Sequence, residues 1–107
     1  MIPLILEKIE EIKRLCKKYS VKSLEVFGTA AEGGFDPESS DIDFLVEYMP
    51  GVDLGPWMAH YFDLKDELEV LLGYGVDLVM SNSPSLKNPY FLSEVNRSKK
   101  LLYQYAA

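Results

Sequence analysis

The most constraining feature of this sequence is an Asp-x-Asp motif at the head of an apolar run. Residues 24–27 form a first apolar stretch, typical of a β-strand, and Gly28 follows it directly. A turn rich in small residues then leads to Asp41 and Asp43, which open a second apolar run over residues 44–46. Because alternate side chains of a strand share a face, Asp41 and Asp43 are predicted to point the same way.

This pair of carboxylates predicts a cation site. Two neighbouring carboxylates on a rigid strand repel each other unless a cation lies between them. Magnesium suits such a pair because it prefers oxygen ligands and keeps coordination positions open for phosphate oxygens. Asp41 could instead be an ordinary turn residue, since it follows two serines. We interpret Asp41 and Asp43 as candidate metal ligands.

The turn after the first strand is a candidate phosphate site. Glycine lets the backbone approach a phosphate group closely, and Gly28 stands at the end of the strand. Thr29 adds a hydroxyl and a backbone N–H. A simple strand-to-helix turn is the alternative. We predict that Gly28 and Thr29 contact the phosphates of a nucleotide.

The rest of the chain predicts an α/β protein. Apolar residues recur at helical spacing over residues 2–18, and a second helix is predicted to stop near Gly73. Its expected core stripe consists of Trp57, Tyr61, Leu64, Leu68 and Leu71. The predicted strands are residues 21–27, 41–47 and 76–80, with a last helix over residues 90–99 and a short edge strand over residues 101–105.

Length and composition set further limits. At 107 residues, the chain is expected to form one domain, residues 1–107. The single cysteine, Cys16, excludes an internal disulfide and lies on the apolar stripe of the first helix, which favours a core position and a reducing, cytoplasmic location. The apolar run at residues 1–6 is too short for a membrane span and lacks the basic flank of a signal peptide.

The charge distribution argues against a nucleic-acid substrate. The net charge is −6, and between residues 23 and 86 Lys65 is the only base, against thirteen acids. A protein that grips a nucleic-acid backbone needs a basic groove beside its catalytic strands. The other bases lie near the two ends of the chain, either on solvated helix faces or converging into a basic rim. A duplex substrate is therefore not expected.

The segment over residues 23–48 resembles the nucleotidyltransferase superfamily signature, Gly-Ser, a spacer and Asp-x-Asp. It is most similar to the minimal nucleotidyltransferase (MNT) proteins, in which the motif usually reads GSxARG…SDIDLLV. The resemblance continues through residues 75–79, similar to the family's third carboxylate strand, and residues 86–91, similar to its C-terminal helix entry. It implies the DNA polymerase beta-like nucleotidyltransferase fold, a small mixed β-sheet flanked by helices.

The resemblance also implies a reaction. MNT enzymes transfer a nucleoside monophosphate to an acceptor, and the expected transfer here is of AMP from ATP. Asp41 and Asp43 would bridge two Mg²⁺ ions, and Asp77 would bind the catalytic ion and draw the acceptor proton. MNT proteins are commonly antitoxins paired with HEPN-domain toxins, and they modify a toxin tyrosine with AMP. The implied partners are thus ATP and a HEPN-domain protein, in a homo- or hetero-oligomer.

Two departures from the MNT pattern keep alternatives open. Thr29 stands where the family has serine, which keeps the hydroxyl and adds a methyl group. Glu32 stands where the family has a basic residue, and an anion there is expected to weaken triphosphate binding. One alternative is an antitoxin that only binds its partner. Another is a small-molecule nucleotidyltransferase of the aminoglycoside-modifying kind.

Overall fold

A computed structural model describes residues 1–106 and contains helices and strands in alternation. Short 3-10 turns at Pro56–Met58 and Pro84–Lys87 precede the fourth and fifth helices. The helices are α1 (Pro3–Glu7), α2 (Ile9–Lys18), α3 (Thr29–Glu32), α4 (Ala59–Leu72) and α5 (Pro89–Ser98). The strands are β1 (Val21–Phe27), β2 (Ile42–Tyr48), β3 (Val76–Met80) and β4 (Lys100–Gln104).

The four strands form one mixed sheet in the order β3-β2-β1-β4. β1 pairs antiparallel with both β2 and β4, whereas β2 and β3 are parallel. A parallel pair requires a long crossover, and α4 supplies it. This arrangement confirms the small mixed sheet flanked by helices that the family resemblance implies.

One face of the sheet carries the main hydrophobic core. In β2, Ile42, Phe44 and Val46 are buried, while Asp43 and Leu45 alternate with them and point to the opposite face. Helices α1, α2 and α4 cover the buried face with a cluster that includes Ile5, Ile12, Cys16, Leu64 and Leu68. Burial of this apolar surface is the main contribution to the stability of the fold.

Helix α5 covers the opposite face. Phe27 of β1 lies directly across from Asp43 of β2, so the two side chains share a face. The ring of Phe27 meets the ring of Phe91 in α5 edge-to-face, with 6.0 Å between centroids. Val95, one turn further along α5, is also buried. Helix α5 therefore packs on the same side of the sheet as Asp43.

The prediction of one continuous N-terminal helix is wrong. The helix breaks at Lys8, whose φ of −105° and ψ of 12° lie outside the helical region. The first segment is anchored separately, because the N–H of Ile2 donates to the carbonyl of Ala30 at 2.8 Å. This tertiary contact fixes α1 against α3, whereas α2 packs on the sheet.

One aromatic residue, Trp57, also lies elsewhere than predicted. Trp57 is 94% exposed rather than on the core stripe of the second helix. After Gly55-Pro56, both Trp57 and Met58 adopt left-handed conformations with φ of 56°, so α4 begins only at Ala59. Tyr90 at the start of α5 is exposed, and its neighbour Phe91 makes the packing contact. Among the described residues, no helix combines the length and apolarity needed to cross a bilayer.

Candidate active site

The three candidate aspartates lie at adjacent positions along one edge of the sheet. Asp43 and Asp77 are register neighbours on the parallel strands β2 and β3, so their side chains share a face. Asp41 immediately precedes β2, where the N–H of Ile42 donates to the carbonyl of Gly75 at 2.9 Å. Asp43 is half-buried, while Asp41 and Asp77 are exposed. Asp43 is thus the central carboxylate, with the exposed Asp41 and Asp77 as its neighbours.

The electrostatics of Asp43 show that the three charges interact. Burial raises the pKa of this carboxyl, and the negative charges of Asp77 and Asp41 raise it further, to about 6. An ion pair with a base would have the opposite effect, and no base forms a salt bridge with any of the three aspartates within residues 1–106. The site is therefore an uncompensated cluster of negative charge.

Gly28 lies against Asp43, which explains why this position is a glycine. A Cβ atom on Gly28 would lie 2.6 Å from Oδ2 of Asp43, closer than a non-bonded contact allows. The residue also has a φ of 71°, a conformation that favours glycine. The sequence predicts that Gly28 lets the backbone approach a phosphate group closely. The structure adds a second requirement, space for the Asp43 carboxylate.

Gly75 is a site residue that the sequence analysis did not single out. A Cβ atom on Gly75 would lie 2.4 Å from Oδ1 of Asp41, so the absence of a side chain leaves room for this carboxylate. Two glycines thus make space for two aspartates, Gly28 for Asp43 and Gly75 for Asp41. The sequence signal for this role is the position of Gly75, two residues before the candidate ligand Asp77.

Ser98 is a second contributor that the sequence did not reveal. It is 5% exposed, and its Oγ accepts the N–H of Gly28 at 2.9 Å. The same hydroxyl donates to the carbonyl of Glu94 at 2.8 Å. The C-terminal end of α5 is thereby tied to the turn beside Asp43. Seventy positions separate Gly28 and Ser98, and no local pattern signals such a contact.

This arrangement has known counterparts. Residues 8–102 match the family described as the nucleotidyltransferase domain. The chain belongs to this family. The protein adenylyltransferase MntA of Thermococcus cleftensis is 38% identical over 88 residues, which span 78% of this chain and 84% of that relative. The nucleotidyltransferase assignment and the resemblance to MNT proteins are both confirmed.

Solved structures confirm the nucleotidyltransferase fold. One described as a "putative minimal nucleotidyltransferase" superposes with a TM-score of 0.67 at 31% identity and covers 90% of each chain. Another is a tri-AMPylated HEPN toxin of Shewanella oneidensis in complex with an MNT antitoxin. It superposes with a TM-score of 0.63 at 20% identity and covers 94% of this chain and 72% of that one, a likeness of fold.

In this nucleotidyltransferase, Glu32 is not a free anion. Its carboxylate accepts two hydrogen bonds from Arg97 of α5, at 2.5 and 2.9 Å. These bonds and the positive charge of Arg97 hold the pKa of Glu32 below its usual value. Arg97 also contacts Glu94 at 2.5 Å. Thr29, three positions before Glu32, is half-buried beside Gly28.

The donors fit magnesium, although they are not gathered as ligands in advance. No three Asp, Glu, His or Cys side chains form a metal cluster within the part of the chain that the structure describes. Burial and the negative charges of Asp77 and Asp41 raise the pKa of Asp43, and a cation at this position would offset both effects. Carboxylate oxygens on one face of the sheet are nevertheless the hard donors that magnesium prefers.

Proposed function

We propose that this chain is a magnesium-dependent protein adenylyltransferase that transfers AMP from ATP to a tyrosine of a HEPN-type toxin and thereby acts as an antitoxin. The observation that carries the proposal is the edge where Asp43 lies between Asp41 and Asp77, with Gly28 packed against it. A charge cluster without a basic counterpart suits a substrate that arrives with cations. Magnesium-bound ATP is such a substrate.

Each residue has a role in this reaction. Asp41, Asp43 and Asp77 would hold magnesium, which neutralises phosphate charge and orients the reacting oxygens. The turn at Gly28 and Thr29 would contact the phosphates. The acceptor hydroxyl attacks the α-phosphorus, a new O–P bond forms, and the bond to the β-phosphate breaks to release pyrophosphate. The Asp77 carboxylate would draw the proton that leaves the acceptor hydroxyl.

A macromolecular acceptor suits the shape of the site. Asp41 and Asp77 are exposed, so the aspartates lie at an open edge of the sheet. The Thermococcus relative is a protein adenylyltransferase, and the Shewanella complex contains an AMPylated HEPN toxin. Both point to a protein acceptor rather than a small molecule. An open edge leaves room for a tyrosine hydroxyl on the surface of a partner protein.

The test is a transfer assay with the protein encoded beside this chain. The two proteins are incubated with magnesium and ATP labelled on either the α- or the γ-phosphate. We expect the α-label, and not the γ-label, to appear on the partner, and mass spectrometry to place the added AMP on tyrosine. Asp43→Asn should abolish the transfer, whereas Glu38→Gln, an exposed acid in the preceding loop, should leave it intact.

The other outcomes distinguish the alternatives. A stable complex without label on the partner would indicate an antitoxin that acts by binding alone. Label on an aminoglycoside, but not on the partner, would indicate a small-molecule transferase. Appearance of the γ-label would identify a phosphotransferase and would contradict the assigned chemistry.

A further inference from the structure

The salt bridge between Glu32 and Arg97 joins two parts of the chain that the family motif does not connect. Glu32 ends α3, directly after the turn that follows β1, and Arg97 lies near the end of α5. Both terminal nitrogens of Arg97 donate to Glu32, and one of them also donates to Glu94. The side chain of Arg97 remains 54% exposed. It is thus positioned by carboxylates yet open to solvent.

The position of Arg97 is fixed relative to the aspartates by its neighbour. Ser98 accepts the N–H of Gly28, and Gly28 lies in contact range of Asp43. Arg97 is therefore one residue from the group that anchors the turn, and its partner Glu32 is one helical turn from Thr29. These contacts place the guanidinium on the rim of the candidate site.

The charge around the site shows why a base at this position matters. ATP is polyanionic, and the aspartate edge is itself negative. Lys65, the only base between residues 23 and 86, is paired with Glu69 on α4, which covers the other face of the sheet. The bases that act on Glu32, beside this turn, come from the C-terminal segment. Arg97 and Lys100 both act on Glu32 electrostatically, and Arg97 makes the direct contact.

We propose that Arg97 binds the β- and γ-phosphates of the nucleotide, in place of the basic residue that Glu32 replaces, and that Glu32 holds the guanidinium ready. This inference rests on the proposed function. A guanidinium offers more N–H groups than Glu32 and Glu94 use, and its planar fork suits phosphate oxygens. Glu32 is then a positioning residue, and the departure from the family motif is a relocation of positive charge rather than its loss.

The test compares ATP with AMP, because only ATP carries the phosphates that Arg97 is proposed to contact. Affinities are measured by calorimetry in magnesium for the wild type, Arg97→Gln and a matched control, Lys99→Gln. Lys99 lies two positions away and pairs with Glu25 at 3.9 Å. Loss of charged hydrogen bonds in Arg97→Gln should weaken ATP binding about 10-fold. The AMP affinity of Arg97→Gln should change by less than about 3-fold relative to the wild type, and so should the ATP affinity of Lys99→Gln.

A charge-reversed pair supplies the decisive variant. In the double variant Glu32→Arg with Arg97→Glu, the salt bridge is rebuilt and arginine occupies the position that is basic in the family. We expect it to recover ATP affinity to within about 3-fold of the wild type, well above Arg97→Gln, because an arginine again faces the phosphates. Thermal unfolding of each variant shows whether the fold is intact.

Several results would overturn the inference. Equal losses of ATP affinity in Arg97→Gln and Lys99→Gln would show that Arg97 acts only through its long-range charge and does not contact the phosphates. Equal losses of ATP and AMP affinity in Arg97→Gln would show that Arg97 does not contact the β- and γ-phosphates. If the double variant recovered thermal stability but not ATP affinity, the pair of Glu32 and Arg97 would have a purely structural role. If the wild type transferred AMP normally while Arg97→Gln bound ATP equally well, only this inference would fail; absence of ATP binding by the wild type would reject the proposed function as well.

Discussion

Asp43 opposes folding in the metal-free protein. Its pKa rises from 3.8 to about 6 on folding, so between these values the folded state keeps a proton that the unfolded state has lost. The free energy of unfolding therefore falls as the pH rises through this window, and the full cost is present above pH ~6. For a half-buried group screened by solvent, the cost is about 1–2 kcal/mol.

We predict that Asp43→Asn raises the melting temperature of the metal-free protein at neutral pH, because the neutral amide removes this cost. The increase should shrink as the pH falls from about 6 towards 3.8, because folded wild-type Asp43 takes up a proton in this window. Melting curves in EDTA between pH 4 and 8 measure the effect. An increase that did not depend on pH would show that repulsion among the aspartates is not its cause.

At Gly75, the prediction concerns geometry rather than charge. In Gly75→Ala, the new methyl group would meet Oδ1 of Asp41, and the carboxylate would have to move. Because Asp41 is exposed, the fold should tolerate this shift, whereas a displacement of about 1 Å at a reacting site can cost on the order of 100-fold in rate. Transfer assays and melting curves would separate the two effects. The control is Ser81→Ala, which lies just beyond the opposite end of β3. A wild-type rate of transfer by Gly75→Ala would show that Asp41 need not occupy its observed position.

At the scale of elements, the tie between α5 and the β1 turn is the contact that organises the site. Replacing Ser98 with alanine leaves the Gly28 N–H without its acceptor in a buried place. We predict a loss of about 1–3 kcal/mol in the free energy of unfolding, together with a raised KM for ATP and a smaller change in kcat. Ser93→Ala, an exposed serine of the same helix, should change neither. A purely structural role for Ser98 would lower stability and leave the KM unchanged.

The sequence predicted those elements and contacts that depend on local pattern. Period-2 alternation located β2 and β3 and the shared face of the aspartates, because strand geometry fixes which side chains are neighbours. The start of α4 was mispredicted because Trp57 continues the apolar spacing while its backbone is left-handed. Ser98 and the pairing of Glu32 with Arg97 were missed because both contacts join distant segments. Such contacts follow from the packing of α5 on the sheet, which no local period encodes.

On the scale of the whole molecule, the charge is unevenly distributed. The chain carries a net charge of −6, and its acidic middle segment contributes all three aspartates to one edge of the sheet. All the lysines and arginines except Lys65 lie in the terminal segments, where Lys18, Lys22, Arg97 and Lys99 pair with acids of other elements. The ion pairs neutralise charge around the sheet but leave the aspartate edge uncompensated. A divalent cation at that edge should therefore stabilise the entire fold.

We predict that magnesium raises the melting temperature of the wild type and not that of Asp43→Asn. A ligand that binds only the folded state adds about 2.7 kcal/mol at a concentration of 100 times its Kd, which corresponds to a shift of roughly 10 °C or more in a domain of this size. Sodium chloride at matched ionic strength controls for screening, and Glu38→Gln, which removes an exposed acid from the loop before β2, should respond like the wild type. In the absence of magnesium the order reverses, because Asp43→Asn then lacks the half-buried charge, and its repulsion by Asp77 and Asp41, that destabilise the wild type. An equal magnesium response in Asp43→Asn and Glu38→Gln would mean that the cation binds elsewhere, and the assignment of Asp43 as a ligand would be wrong.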